Sequence, residues 1–368
     1  MIAIQIKSGP EVLSVLTDDH EDAELLWSDL EYIHNAQGGP LTATFKVRRV
    51  DPLAVQEDLA DGNRIVIWAN SVDVWWGDIE SAERSIEDDA YFDVSCVGDS
   101  GRLKRLGTLA DYDLDLTAGE KVSEWLVRVP LADADLGLGA GDIDGSDFEI
   151  TTGLSFFPGK PYRECIDMGN EYNNYRLKVR NGLLDWQPKE STPTYFVEVE
   201  LADKSTLNRG RQGMVNFVQM AYTGDGSIYG YVTAQNDDSI AAHGPTMAWE
   251  QMPGLASAAE AQQAADLLVA EKGNLKPSSA ITTDIVLDEY GVQIPNEEVE
   301  AGKVLYVRDL LSTEEAFAAA QGINDNCTWE VAEVKIRPED PCPVTLSPGD
   351  LPTELGVMFA RIENRSRY

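Results

Sequence analysis

At 368 residues the chain suits two or three domains, and its 43% hydrophobic and 25% charged side chains are those of a globular protein. Its 64 acidic against 29 basic residues give a net charge of -35, which offers phosphates no broad basic surface and argues against sequence-specific nucleic-acid binding. No apolar run approaches the roughly 20 residues that span a bilayer, and Met1–Lys7 reads as a strand, without the basic region or cleavage site of a signal peptide.

In chain order, period-two alternation dominates. After the N-terminal strand, the segment from Asp18 to Leu30 is ambiguous, because its acidic start suits a helix and its surroundings suit strands. Leu41–Val47 puts Leu41, Ala43, Phe45 and Val47 on one face and Thr42, Thr44 and Lys46 on the other. Asn63–Trp68 reads as a compact buried strand, Val72–Trp76 continues the sheet, and Phe92–Cys96 alternates with Cys96 on the apolar side as a buried thiol. A short helix is expected near Glu120–Val127, and the Asp- and Gly-rich stretch Leu131–Asp147 reads as a long loop. A second short helix is expected at Tyr162–Tyr172. Leu177–Trp186 is a hairpin, since Asn181-Gly182 supplies the two positive-φ residues of a type I′ turn. Tyr195–Leu201 alternates, and a second hairpin is expected around Thr223–Gly226. Ser257 with Glu260 makes a capping box for a helix running through Ala261, Ala265, Leu268 and Val269 to Gly273. A break follows at Gly273–Ser279, and Trp329–Ile336 is a late strand.

The fold class expected is mainly β with α+β insertions: two β-barrel-like domains with a middle α/β segment. The boundaries are 1–105 for the first barrel, 106–190 for the insertion with its hairpin, 191–275 for connecting strands and the capped helix, and 276–368 for the second barrel. The acidic surplus adds a setting to this architecture. Self-repulsion strains a compact chain unless salt screens it, and in molar salt the Debye length falls to about 3 Å. A halophilic source is therefore expected.

The order of these elements resembles the baseplate-hub and minor tail (tail-tip) proteins of tailed phages and tailed archaeal viruses. Four places carry the resemblance. The first is Gly38–Phe45, followed by Asp61-Gly62 and a buried strand; the second is Val74–Ile79 leading into Asp93–Leu103. The third is a helix followed by the Asn181-Gly182 hairpin. The fourth is Asn216–Thr223, then Asp238–Gly244, the small-residue helix after Ser257 and a closing barrel. The acidic stretch near Leu131 departs from the pattern, as does the lack of terminal basic and aromatic segments. The resemblance implies a non-enzymatic virion protein at the distal end of the tail, made in the host cytoplasm. It implies a homo-oligomeric ring, a trimer in hubs, whose two barrels per subunit present six similar units to a six-fold tube. Its partners would be further copies, the tail tube, and distal-tail, tape-measure and fibre proteins, with a channel for genome ejection. A carbohydrate- or receptor-binding tail protein is the alternative, and a tail-associated hydrolase a more distant one.

Catalytic signatures are missing: no GxSxG, HExxH or P-loop occurs. His20, His34 and His243 read as solvated surface histidines. Asp111, Asp113 and Asp115 read as the solvent face of a strand, and Gly137, Gly139 and Gly141 lack the buried strand a dinucleotide site needs. The scattered Cys96, Cys165, Cys327 and Cys342 form no metal box, although Cys327 and Cys342 could pair. Asn326–Thr328 and Asn364–Ser366 fit the short glycosylation pattern. Trp68, Trp75 and Trp76 read as core or interface packing. The one candidate metal site, for calcium, is the set of alternating carboxylates Asp142, Asp144, Asp147 and Glu149 on a Gly-bearing segment.

Overall fold

The computed structural model describes residues 2–17, 27–36, 38–48, 57–84, 91–99, 101, 119–132, 138–147, 175–190, 192–198, 202–204, 214–224, 227–251, 257–273, 280–308 and 328–349. The expected helix at Tyr162–Tyr172 lies outside these residues, as do His20, Cys165, Cys327 with its pairing, Asp111, Asp113, Asp115, Asn326, Asn364 and Gly137.

The chain opens with β1 (Ile2–Ser8), β2 (Glu11–Thr17), β3 (Trp27–Asn35), β4 (Gly39–Arg48), β5 (Arg64–Ala69), β6 (Val72–Arg84) and β7 (Tyr91–Gly98). They pair antiparallel in the order β2-β1-β5-β6-β7-β4-β3. Alternation explains which face is buried: Ile2, Ile4 and Ile6 of β1, Phe45 and Val47 of β4, Ile65 and Ile67 of β5, and Trp75 of β6 enter one core. The sheet curls enough that Trp27 on β3 donates its indole N–H to the Ile2 carbonyl of β1 at 3.4 Å. Cys96 is buried, as the alternation predicts, and burial pushes its thiol far above the usual range. Trp75 and Trp76 are buried too.

Helix α1 (Val122–Ala132) and strands β8 (Gly139–Ile143), β9 (Tyr175–Arg180) and β10 (Leu183–Pro188) form a small second unit, with sheet order β8-β10-β9. The expected hairpin is present. Asn181 at φ 50° and Gly182 at φ 76° make the left-handed turn, and Leu183 pairs with Arg180. Gly182→Ala is expected to lower stability by about 1–2 kcal/mol in urea unfolding, because alanine resists that conformation. The stretch Leu131–Asp147 is not one long loop: it holds the end of α1 and the whole of β8, which pairs parallel with β10. Its glycines are the reason. A Cβ on Gly141 would sit 2.2 Å from an Asp185 side-chain oxygen, so the absence of side chains lets β8 approach β10.

Strands β11 (Tyr195–Glu198), β12 (Ala202–Lys204), β13 (Phe217–Gly224) and β14 (Ser227–Gln235) follow, then α2 (Asp237–His243), β15 (Met247–Gln251) and α3 (Ala258–Lys272). Gly224 pairs with Ser227, as the second expected hairpin requires. α3 begins right after Ser257, and the Gly273 N–H closes it on the Val269 carbonyl at 2.8 Å. Its small residues Ala261, Ala264 and Ala265 bring it close to Val218, Met220 and Ala234 of the sheet β14-β13-β15. Asn216 pins this unit together. Its side chain donates to Ser239 and to the Gly244 carbonyl and accepts from the Thr246 N–H, all within 2.6–3.2 Å.

The last described strands are β16 (Ile281–Thr283), β17 (Val286–Leu287), β18 (Gln293–Ile294), β19 (Val304–Arg308), β20 (Thr328–Ile336) and β21 (Val344–Gly349). Pairing of β20 with β3 joins them, with β11 and β12, to the N-terminal strands in one hydrogen-bonded network of fifteen. The fold is mainly β, with α+β material inserted between its first and last strands.

Candidate functional site

Two kinds of feature stand out: an ionic seam inside the molecule and surfaces with exposed apolar side chains outside it.

The seam follows from the alternation of β9. Tyr175, Leu177 and Val179 fall on one face, with Leu184 and Trp186 of β10, and are buried. Arg176, Lys178 and Arg180 fall on the other, and that cationic face meets carboxylates of the large sheet and its loops. Arg180 bonds Glu300 at 2.5 Å, and Lys178 lies 3.7 Å from Glu300 while donating to the Ala301 carbonyl at 3.0 Å. Arg176 and Glu330, both nearly fully buried, are 3.6 Å apart. Gly302 has no side chain because the guanidinium occupies that space, with an Arg176 nitrogen 2.2 Å from where a Cβ would stand. At the hairpin tip, Asp99 receives both Arg64 nitrogens at 2.5 and 2.8 Å and the Gly182 N–H at 3.1 Å. Gly38, joined to β9 by two backbone hydrogen bonds, completes the docking.

His34 sits in this seam and not in solvent, which corrects the surface reading. It lies on β3, on the buried side with Leu30 and Tyr32, and only 7% of it is exposed. Its ring packs edge-on to Tyr32, with centroids 5.8 Å apart. With Gly39, Trp76, Lys178, Arg180 and Glu300 it borders a cavity of about 20 Å³, room for roughly one water-sized sphere. Burial lowers the His34 pKa to about 4, although Glu300 and a hydrogen bond to the Val74 backbone favour its charged form. Burial opposes ionisation of Glu300 as well, yet Lys178 and Arg180 hold its carboxyl below the usual range. His243 is half-buried and ends α2, beside Gly244 at φ 76°.

The acidic segment proposed for calcium is occupied with local structure. Asp147 is buried and accepts from the N–H and hydroxyl of Ser123, at 2.9 and 2.5 Å, and from the Trp186 indole at 3.2 Å. It thereby satisfies donors in the first turn of α1. Asp144 accepts from Ser146 and Tyr175. Asp142 is exposed, and Glu149 lies outside the described residues. Among the described residues no group of three or more His, Cys, Asp or Glu side chains is placed to hold a metal ion.

Outside, two surfaces expose large apolar side chains. Edge strand β2 shows Val12, Leu13 and Val15, each more than a third exposed, and pairs only with β1 among the described strands. The second is the face of β14-β13-β15 turned away from α3. Register and alternation place Met247, Phe217 and Gln235 in one row and Trp249, Gln219 and Thr233 in the next, with Ala221 opposite Tyr231 beyond. Tyr231, Met247 and Trp249 are 54%, 59% and 50% exposed. None of these eight side chains carries a charge. Neither surface was found from sequence. The signal was available at Met247–Gln251, where Met247 and Trp249 alternate with Ala248. Among the described residues no helix is long and apolar enough to cross a membrane.

No family model matches the sequence, and no curated protein does. Solved structures do match, over nearly the whole chain. The 43 kDa tail protein of prophage MuSo2 from Shewanella oneidensis aligns with a TM-score of 0.57 at 10% identity, covering 97% of each chain. A tail protein from Neisseria meningitidis MC58 aligns with a TM-score of 0.55 at 12% identity, covering 98% of this chain and 99% of that one. Prophage tail protein gp18 from Listeria monocytogenes EGD-e also scores 0.55, at 11% identity, covering 99% of each. At such identities the likeness is one of fold, and it runs from end to end.

Proposed function

We propose that this chain is a structural subunit of a viral tail, a baseplate-hub or tail-tip protein that forms a homo-oligomeric ring at the distal end of the tail tube. The observation that carries the reading is the end-to-end sharing of a fold with three tail proteins, two of them from prophages. The uncharged face of β14-β13-β15 and the apolar edge β2 support it, because exposed strands and large apolar side chains call for a covering partner.

In this reading the two β-rich parts, 1–105 and 276–368, act as paired barrels, and a trimer offers six similar units to a six-fold tube. The channel passes the genome, and neighbouring tail proteins dock on the two rims. The role is non-enzymatic and consists in burying surface at subunit contacts. The surplus of 35 negative charges fits a virus of a high-salt habitat, and carboxylates facing the channel would keep DNA from adhering.

Electron microscopy of the purified protein in molar KCl tests this. Rings with a central channel are expected, and a compact monomer at high protein concentration would overturn the reading. A salt series tests the habitat: the melting temperature should rise from low to molar KCl, and a flat series excludes halophilic adaptation.

A further inference from the structure

We infer that the uncharged face of β14-β13-β15 is covered by a second copy of this chain. The inference rests on the ring reading and names the surface and the partner that the ring would use.

The reasoning begins with a sheet that has two faces and one cover. Val218, Met220, Val232 and Ala234 are packed under α3. The opposite face carries Phe217, Gln219, Tyr231, Thr233, Gln235, Met247 and Trp249, with Ala221 fully buried among them, and its three largest exposed residues are each at least half accessible. Trp, Tyr and Met are the side chains that anchor protein contacts, and lysine and the acids are depleted from contact cores. None of these side chains carries a charge, so the face has the composition of a contact core.

The charge pattern selects the occupant. A basic partner would gain nothing from the uncharged patch on a surface with 35 surplus negative charges, and would sit on the acidic surfaces instead. A second copy carries the same surplus and must approach where neither side brings a carboxylate. Molar salt does not relax this requirement. Screening over about 3 Å quiets distant charges, but charges trapped in a contact still lose their hydration.

Size fits a part of a larger contact. Three strands about 4.8 Å apart and five residues long cover about 250 Å², whereas a stable interface takes about 800 Å² from each partner. The face therefore supplies the anchoring centre, and the rim lies outside it. In a closed ring such a contact is head-to-tail, with this face meeting a different surface of the next copy.

The test uses the full chain in molar KCl. Sedimentation velocity should show the wild-type oligomer dissociating at least tenfold more readily in Trp249→Ala. In the paired variant Met247→Glu with Trp249→Glu the increase should be at least a hundredfold, with far-UV circular dichroism and melting temperature unchanged. Should the paired variant fail to fold, Thr233→Glu, at an exposed polar position of the same face, carries the test with an expected tenfold loss. Peptide mass spectrometry after mild peroxide treatment should find Met247 protected in the oligomer and oxidised once the protein is diluted to monomer. Oligomers of unaltered affinity in every variant would overturn the inference and leave the ring reading standing. Met247 protected equally in a dilute monomer would mean that the chain covers the face itself, which also overturns it. A wild-type chain that never associates removes the ring reading first.

Discussion

Asp99→Ala is expected to lower the unfolding free energy by about 3–5 kcal/mol, the cost of leaving one member of a buried ion pair alone. Asp99 is fully buried at the end of β7, and its two oxygens take both terminal nitrogens of Arg64 and the Gly182 N–H. Removing the carboxylate leaves Arg64, whose side chain is only 18% exposed, with Asp78 at 3.3 Å as its remaining acidic neighbour. It also strips the turn of its anchor. The three partners come from β5, the end of β7 and the tip of the β9–β10 hairpin, so one carboxylate bolts the second unit to the first. Urea unfolding in molar salt measures the loss. The double variant Arg64→Leu with Asp99→Leu should recover most of it, since apolar replacement of both partners removes the uncompensated charge. A loss under 1 kcal/mol in Asp99→Ala would mean that the pair is not the bolt.

How far the sequence revealed this depends on the kind of signal. Strands with one buried face were legible, because alternation is a local property: Leu41–Val47 and Trp329–Ile336 lie within β4 and β20. Asn181-Gly182 was legible for the same reason, its turn being dictated by two adjacent residues. The helix after Ser257 needed only four. What failed were elements whose character depends on distant partners. β8 reads as loop because glycine and aspartate resist strand formation alone, and only the approach to Leu183 and Leu184 makes it one. β2 breaks the alternating pattern, with Val12 and Leu13 both exposed at a free edge. His34 lay in a legible period with Leu30 and Tyr32, yet the turn residues after it suggested solvent, and its neighbours Lys178 and Glu300 are far off in sequence. The assembly face was hidden for a related reason. Missing charge becomes visible only when three strands are laid side by side, and here one of them, β15, joins by parallel pairing across an intervening helix.

The buried position of His34 leads to an expected pH dependence. Stability should fall by about 3 kcal/mol between pH 7 and pH 4, at 1.36 kcal/mol per pH unit of displacement. The sign follows from proton counting. Unfolded, the imidazole has its ordinary value of 6.5; folded, burial lowers it to about 4. Between those values the unfolded chain binds a proton that the native one refuses, so acidification favours unfolding. The full contribution is present above pH 6.5 and is lost as pH falls toward 4. Glu300 then adds a lower limb, because its depressed carboxyl contributes stability that disappears only when pH falls through its folded value. Lys178 and Arg180 are the other charges facing the imidazole, and both oppose its protonation. His34→Gln should therefore flatten the curve from pH 4 to 6.5 and leave the more acidic limb in place. The many other carboxylates titrate alike in both proteins and cancel in the difference. Urea unfolding at half-unit pH steps in molar KCl gives the two curves, and parallel curves would mean that His34 is not held neutral by the seam. Since the ring lies between the cationic face of the β9–β10 hairpin and the large sheet, its protonation acts on the contact that Asp99 also holds, and acid should loosen the second unit from the first before the sheets themselves unfold.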